Sequence, residues 1–176
     1  SWFTDSFLDV AEDAQDALDE NKTVLLYFHL DGCPYCDAML AQNFNQGDNL
    51  NFIKQHFSVI AVNIKGSREI TMSEAQSKSE KALSEMLEVK YTPTIIFLGE
   101  DGKQVFRTNG YRNVAAFRQV LEYVASKSYK NTTLSSYIEA QKNTKQSYDF
   151  IDHSNLQVVH NFQNFDKPVA LLFEDK

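Results

Sequence analysis

The chain of 176 residues has only two cysteines, no excess of positive charge and no long apolar run. Two cysteines cannot build the framework of several bridges that holds a small secreted scaffold together. Lys and Arg number 17 against 24 Asp and Glu, a net charge of −7. That balance argues against nucleic acid or an anionic membrane as the main partner. Nothing approaches the roughly 20 apolar residues that span a bilayer, so membrane insertion is not expected. No secretory signal opens the chain, and its first residue is Ser1 rather than Met. It is therefore expected to be a mature form or a fragment, and its address is not read from its start. What remains is 43% hydrophobic and 23% charged, enough for a proper core and unlike a disordered chain.

Both cysteines fall in one tetrapeptide, Cys33-Pro34-Tyr35-Cys36. It follows the β-prone run Thr23-Val24-Leu25-Leu26-Tyr27-Phe28, which reads as a buried strand. Asp31-Gly32 breaks the strand, and Pro34 suits the first turn of a helix. Cys33 then lies at a helix N-terminus, where free N–H groups and the helix dipole favour a thiolate. Cys36 is one turn further on the same face, within disulfide reach. A stabilised thiolate beside a second thiol is equipment for thiol–disulfide exchange.

The remaining pattern predicts an order of elements. Phe3 to Leu18 carries a helical stripe through Phe7, Val10, Ala14 and Leu18. After the cysteine helix, Asp48 can cap another helix that buries Leu50, Ile53 and Phe57. Ser58 to Ile64 reads as a second strand, Lys65 to Ser79 as a polar loop or partly helical insertion, and Ser79 to Val89 as a helix. Pro93 to Leu98 is a third strand, Asp101-Gly102 a hairpin turn, and Val105 to Arg107 a fourth strand. Asn113 starts a closing helix with Val114, Phe117, Val120, Leu121 and Val124. The expected fold is α/β, a central mixed sheet with helices on both faces.

The strand–Cys-Pro-Tyr-Cys–helix unit, followed by Tyr91-Thr92-Pro93-Thr94 and a hairpin, resembles the thioredoxin superfamily over about residues 1–126. The phrasing of Phe28 to Cys36, Gly66-Ser67-Arg68-Glu69, Tyr91 to Thr94 and Gly110-Tyr111 is similar to that of SoxW-like periplasmic thioredoxins. The resemblance implies a thioredoxin fold and a periplasmic address. Cys33 would be the exposed nucleophile toward a substrate disulfide, and Cys36 the buried resolving cysteine. Pro93 would be the cis-proline, letting Thr92 offer its N–H and C=O to an extended segment. Pro34, Tyr35, Thr92 and Pro93 would contact substrate. No metal or organic cofactor is implied. The partners would be proteins with disulfides and a redox protein that resets the dithiol.

One position departs from the family. Tyr27 stands where many thioredoxins keep a buried carboxylate that helps to deprotonate the resolving thiol, leaving water or His29 as the route. His29 otherwise reads as a side chain at the edge of the site. Glutaredoxins also use Pro-Tyr between cysteines, but Thr108-Asn109-Gly110-Tyr111-Arg112 lacks their Gly-Gly pair. The dithiol's poise, between a reductant near about −270 mV and an oxidant near about −120 mV, is not legible. A structural disulfide here would close almost no loop. A zinc site would need about two more ligands, and His56, His153 and His160 are scattered. Arg68 and Glu69 read as a surface pair, and Tyr35 as exposed.

Residues 127–176 are expected to be a C-terminal extension with a polar break at 127–131 and a helix over 134–142. Asp166 to Asp175 echoes Asn21 to His29, matching Lys, Val, Leu and Phe in register, either by chance or as the start of a second thioredoxin-like unit. The sequence thus points to a thiol–disulfide oxidoreductase acting through Cys33 and Cys36. A thioredoxin-fold module that only binds a partner is the competing class, and a metal chaperone a third.

Overall fold

The computed structural model describes residues 22–73 and 76–148. The helix predicted over 3–18 and the echo at 166–175 lie outside the described residues. Two compact units divide at Ala140 and Gln141. Of the second, the described residues 141–148 are helical.

The first unit is organised by β1 (Thr23–His29), whose five central residues are all buried. A strand buried on both faces must have neighbours on both edges and layers above and below. β1 pairs in parallel with β2 (Phe57–Asn63) and antiparallel with β5 (Thr94–Leu98). β6 (Gln104–Asn109) completes the four-stranded sheet, in the order β2-β1-β5-β6. Parallel pairing of β1 with β2 requires a crossover between them. It consists of α1 (Pro34–Met39), a π-helical turn Leu40–Phe44, and α2 (Gly47–His56). This is the mixed thioredoxin fold expected from the sequence.

Period-two alternation divides β1 between two cores. Leu25 and Tyr27 join Met39, Phe44, Ile53, Phe57, Phe97 and the helix α4 (Val114–Ala125) on one face. Val24, Leu26 and Phe28 join Ile60, Val62, Ile96 and Leu98 on the other. Asn113 caps α4 as expected, its side chain accepting the Ala116 N–H at 2.9 Å. Beyond Ala125 the chain turns at Lys127 and enters α5 (Leu134–Tyr148). Tyr129, Leu134 and Tyr137 pack on the first core, and the Tyr123 hydroxyl donates to the Thr132 carbonyl at 2.6 Å.

Three expectations are corrected. Residues 65–79 hold a two-stranded hairpin, β3 (Glu69–Ser73) with β4 (Gln76–Ser79), rather than a loop or partial helix. Its alternation rests on Ile70, fully buried, between exposed Glu69 and half-buried Thr71, too short a signal to stand out among polar residues. Asp48 is not the cap of α2. Gln46 holds that position without a side-chain bond, and Gly47 opens the helix at φ +76°. Asp48 instead lies in the first turn, where its charge suits the helix dipole.

Arg68 does not pair with Glu69. It pairs with Glu80, the first residue of α3 (Glu80–Met86), at 2.6 Å. Glu80 is 2% exposed, and also accepts the Asn63 and Arg68 backbone N–H groups at 3.0 and 3.4 Å. Burial raises the Glu80 carboxyl. The Arg68 guanidinium and these N–H donors outweigh it and hold the group below its usual 4.5. Glu69 takes the Ser77 hydroxyl instead. Gly66 makes the arrangement possible, since a Cβ there would lie 1.8 Å from Glu80 Oε2.

Candidate active site

At the C-terminal end of β1 the chain leaves the sheet through Asp31 and Gly32, the latter at φ +73°. A left-handed turn of this kind is cheap only for glycine. Cys33 follows in extended conformation as the N-cap of α1, with Pro34 at the first helical position. Its sulfur acts as the cap, receiving the Cys36 N–H at 3.2 Å. Cys33 and Cys36 form a disulfide, with Cα atoms 5.3 Å apart. Cys33 is half-buried and Cys36 is 2% exposed. The sulfur that a partner can approach is therefore that of Cys33.

A second segment reaches the same sulfur from across the sheet. The Thr92–Pro93 peptide is cis. The Thr92 hydroxyl donates to Cys33 Sγ at 3.5 Å, and the Thr92 carbonyl oxygen lies 3.8 Å from it. Two donors, one backbone and one hydroxyl, thus converge on Cys33 Sγ, and each would stabilise negative charge there after reduction. The carbonyl can accept a hydrogen bond from a Cys33 thiol.

The proline loop is tied down on three sides. The Pro93 carbonyl accepts the Gly110 N–H at 2.7 Å. The Thr94 hydroxyl donates to Tyr91 O at 2.7 Å and lies 3.2 Å from Asn109 Oδ1. Arg107 reaches the Leu87 and Glu88 carbonyls at 2.7 and 3.0 Å, fixing the segment that leads into the loop. Pro93 is buried and Thr92 half-buried, while Pro34 and Tyr35 are exposed. Tyr91, exposed like Tyr35, stands beside Thr92. The predicted residues Cys33, Pro34, Tyr35, Cys36, Thr92 and Pro93 are thus brought together.

Behind the dithiol, Tyr27 occupies the buried position singled out above. Its hydroxyl donates to the Cys36 carbonyl at 3.0 Å. Burial, helped by the charge of Asp37, raises the phenol well above its usual 10.0, so it is a donor and not a base. His29 stacks on the Tyr27 ring, with centroids 5.9 Å apart and planes at 12°.

Near the cysteine helix, two buried asparagines escaped the sequence reading. Asn43 and Asn49 are 0% and 1% exposed. Asn49 Nδ2 donates to Asn43 Oδ1 at 2.8 Å and to the Val114 carbonyl at 2.9 Å, and Asn43 Nδ2 donates to the Arg112 carbonyl at 3.2 Å. This amide bridge ties the π-helical turn after the cysteines to the segment that follows Gly110. The signal available was weak, an asparagine inside each of two helices, where that residue is unfavourable.

Among the described residues no group of three His, Cys, Asp or Glu side chains is gathered as for a metal ion. No described helix is long and apolar enough to cross a membrane.

Residues 10–125 match the family model described as a thioredoxin-like domain. A probable nucleoredoxin 3 from Oryza sativa subsp. japonica is 27% identical over 121 residues, 62% of this chain and 26% of that protein. The chain thus spans about a quarter of that relative's length. A thioredoxin-fold protein from Helicobacter pylori is similar in structure, with a TM-score of 0.59 and 29% identity, covering 70% of this chain and 86% of that one. A thioredoxin from Thermus thermophilus gives a TM-score of 0.54 at 25% identity, covering 68% and 85% respectively.

Proposed function

This chain belongs to the thioredoxin-like domain family, and on that premise we propose that it is a thiol–disulfide oxidoreductase acting on protein disulfides. In this reading the Cys33 thiolate attacks one sulfur of a substrate disulfide, forming a mixed disulfide and releasing the other sulfur as a thiolate. Cys36 then attacks Cys33 Sγ, the substrate leaves reduced, and the Cys33–Cys36 disulfide remains. A redox partner resets it, and no cofactor takes part. A periplasmic address is part of the reading and rests on the sequence resemblance alone.

The observation that carries it is the set of groups on Cys33 Sγ: the Cys36 N–H at 3.2 Å and the Thr92 hydroxyl at 3.5 Å. A structural bridge needs neither, and a disulfide across two residues closes too short a loop to stabilise much. Exposed Tyr35 and Tyr91, each next in the chain to a residue of the site, offer broad apolar surface with a polar tip, suited to an extended polypeptide segment.

The test is titration of the pair against thiol buffers of known potential, reading its state by alkylation and mass spectrometry. A reversible two-electron transition is expected, and its midpoint separates a reductant from an oxidant. Cys33→Ser should abolish exchange. If no Cys33–Cys36 disulfide forms at any poise and Cys33→Ser binds a protein partner as the wild type does, the chain is a binding module instead.

A further inference from the structure

We propose that the His29 imidazole accepts the proton of the Cys36 thiol, by way of solvent at the mouth of the site, when the mixed disulfide on Cys33 is resolved. This rests on the dithiol reading above and assigns the step that reading leaves open. Cys36 is 2% exposed, and burial in apolar surroundings disfavours a thiolate. Resolution therefore needs a base. Tyr27 stands behind Cys36, but its hydroxyl keeps its proton and donates a hydrogen bond to the Cys36 carbonyl. Asp31 and Asp37 are exposed, and Asp31 accepts the Asn63 side-chain amide at 3.2 Å.

His29 is the remaining titratable side chain of this group. It lies two residues beyond Tyr27 on β1, on the same face of the sheet and nearer the cysteines. Its ring stacks on the Tyr27 ring, whose hydroxyl touches the Cys36 backbone. It is half-buried and makes no side-chain hydrogen bond to any described residue. Since no buried side-chain nitrogen or oxygen lacks a partner among the described residues, its ring nitrogens are open to solvent. Burial lowers its affinity for a proton below the usual 6.5; Asp31, Glu80 and Asp37 oppose that shift and Arg68 adds to it. Near neutral pH the ring is uncharged, with a lone pair available.

The step balances. The proton of Cys36 passes to the imidazole, and the Cys36 sulfur pair forms the bond to Cys33 Sγ. The bond from Cys33 to the substrate breaks, and the leaving thiolate takes the proton from the imidazolium. The substrate disulfide is the oxidant, and the dithiol is oxidised.

The experiment is single-turnover reduction of a small disulfide-containing peptide by the full chain, followed across pH, with Cys33 alkylation measured in parallel. Wild-type resolution should fall off on the acid side of a midpoint below 6.5. His29→Gln should slow resolution by about 10²-fold, remove that midpoint, and let the rate climb with pH into the thiol range. Its Cys33 alkylation rate should stay near wild type, and added free imidazole should restore resolution. An unchanged pH profile in His29→Gln, or a loss that imidazole does not restore, overturns the inference while leaving the dithiol reading intact. A wild-type chain that exchanges no disulfide overturns both.

Discussion

The two faces of the sheet bury polar groups by opposite means. The face toward α1, α2 and α4 is dominated by rings, among them Tyr27, Phe44, Phe57, Phe97, Phe117 and Tyr123, and its buried polar pair is neutral, Asn43 with Asn49. The face toward the hairpin and α3 is aliphatic apart from Phe28, and among its buried polar residues is a charged one, Glu80 held by Arg68. A neutral amide costs little to bury once its bonds are made. A carboxylate must have a cation and several donors. The difference follows from what each face secures. The amide bridge joins the π-helical turn Leu40–Phe44 and α2 to the carbonyls of Arg112 and Val114. The carboxylate gathers N–H groups and a guanidinium at the end of β2, where the chain turns through Gly66 into the hairpin.

Removing Glu80 should do the most damage. Glu80→Ala leaves the Asn63 and Arg68 N–H groups unpaired. We expect a loss of about 2–3 kcal/mol, below the ~3–5 kcal/mol of a fully buried pair because Arg68 can return to water. Urea unfolding measures it. The carboxyl sits below 4.5 in the fold, so its contribution is present above that pH and fades as pH falls through the folded value. Glu80→Gln should flatten that acid limb. Gly66→Ala, whose Cβ would displace the carboxylate, should destabilise by a similar route. A variant as stable as wild type would mean that the charged face does not depend on its charge.

Asn43→Ala breaks the neutral counterpart. It strips a partner from Asn49 and from the Arg112 carbonyl, a loss of about 1–3 kcal/mol. Because Asn43 and Asn49 share a bond, the double variant should cost less than the sum of the two singles. Strict additivity would show the bridge to be two separate amides. Between the two faces, the acid limb should vanish only in the Glu80 variants.

These polar cores mark what the sequence concealed. β1 was legible because an apolar run with β-branched residues has few alternatives, and the cysteine helix because Gly32, Cys33 and Pro34 each suit their place in its first turn. The Asn113 cap was legible for the same local reason, whereas the role of Thr92-Pro93 came from the resemblance to the thioredoxin superfamily. Glu80 was not, since its donors at Asn63 and Arg68 come from other elements and nothing local marks a glutamate as buried. The amide bridge was hidden likewise, because Asn43 and Asn49 bond the carbonyls of Arg112 and Val114, brought near only by the fold. The hairpin was missed because a single buried residue, Ile70, carries its pattern.

Tyr27→Phe should have the smallest effect. It deletes one hydroxyl on the aromatic face and keeps the ring, the packing on Phe44 and the stacking with His29. The Cys36 carbonyl keeps the Leu40 N–H as a partner. The loss should therefore be about 0.5–1.5 kcal/mol near neutral pH. The alkaline limb separates this hydroxyl from the rest of the face. The buried phenol holds its proton well above 10.0, whereas in the unfolded chain it ionises near that value. Its contribution is complete below pH 10.0 and is eroded as pH rises beyond it, because the unfolded state gains by releasing the proton and the folded state cannot. Unfolding of Tyr27→Phe should show a shallower alkaline decline than wild type, with an unchanged acid limb. An equal decline would mean that the phenol reaches solvent, and the aromatic face would then be wet beside Cys36.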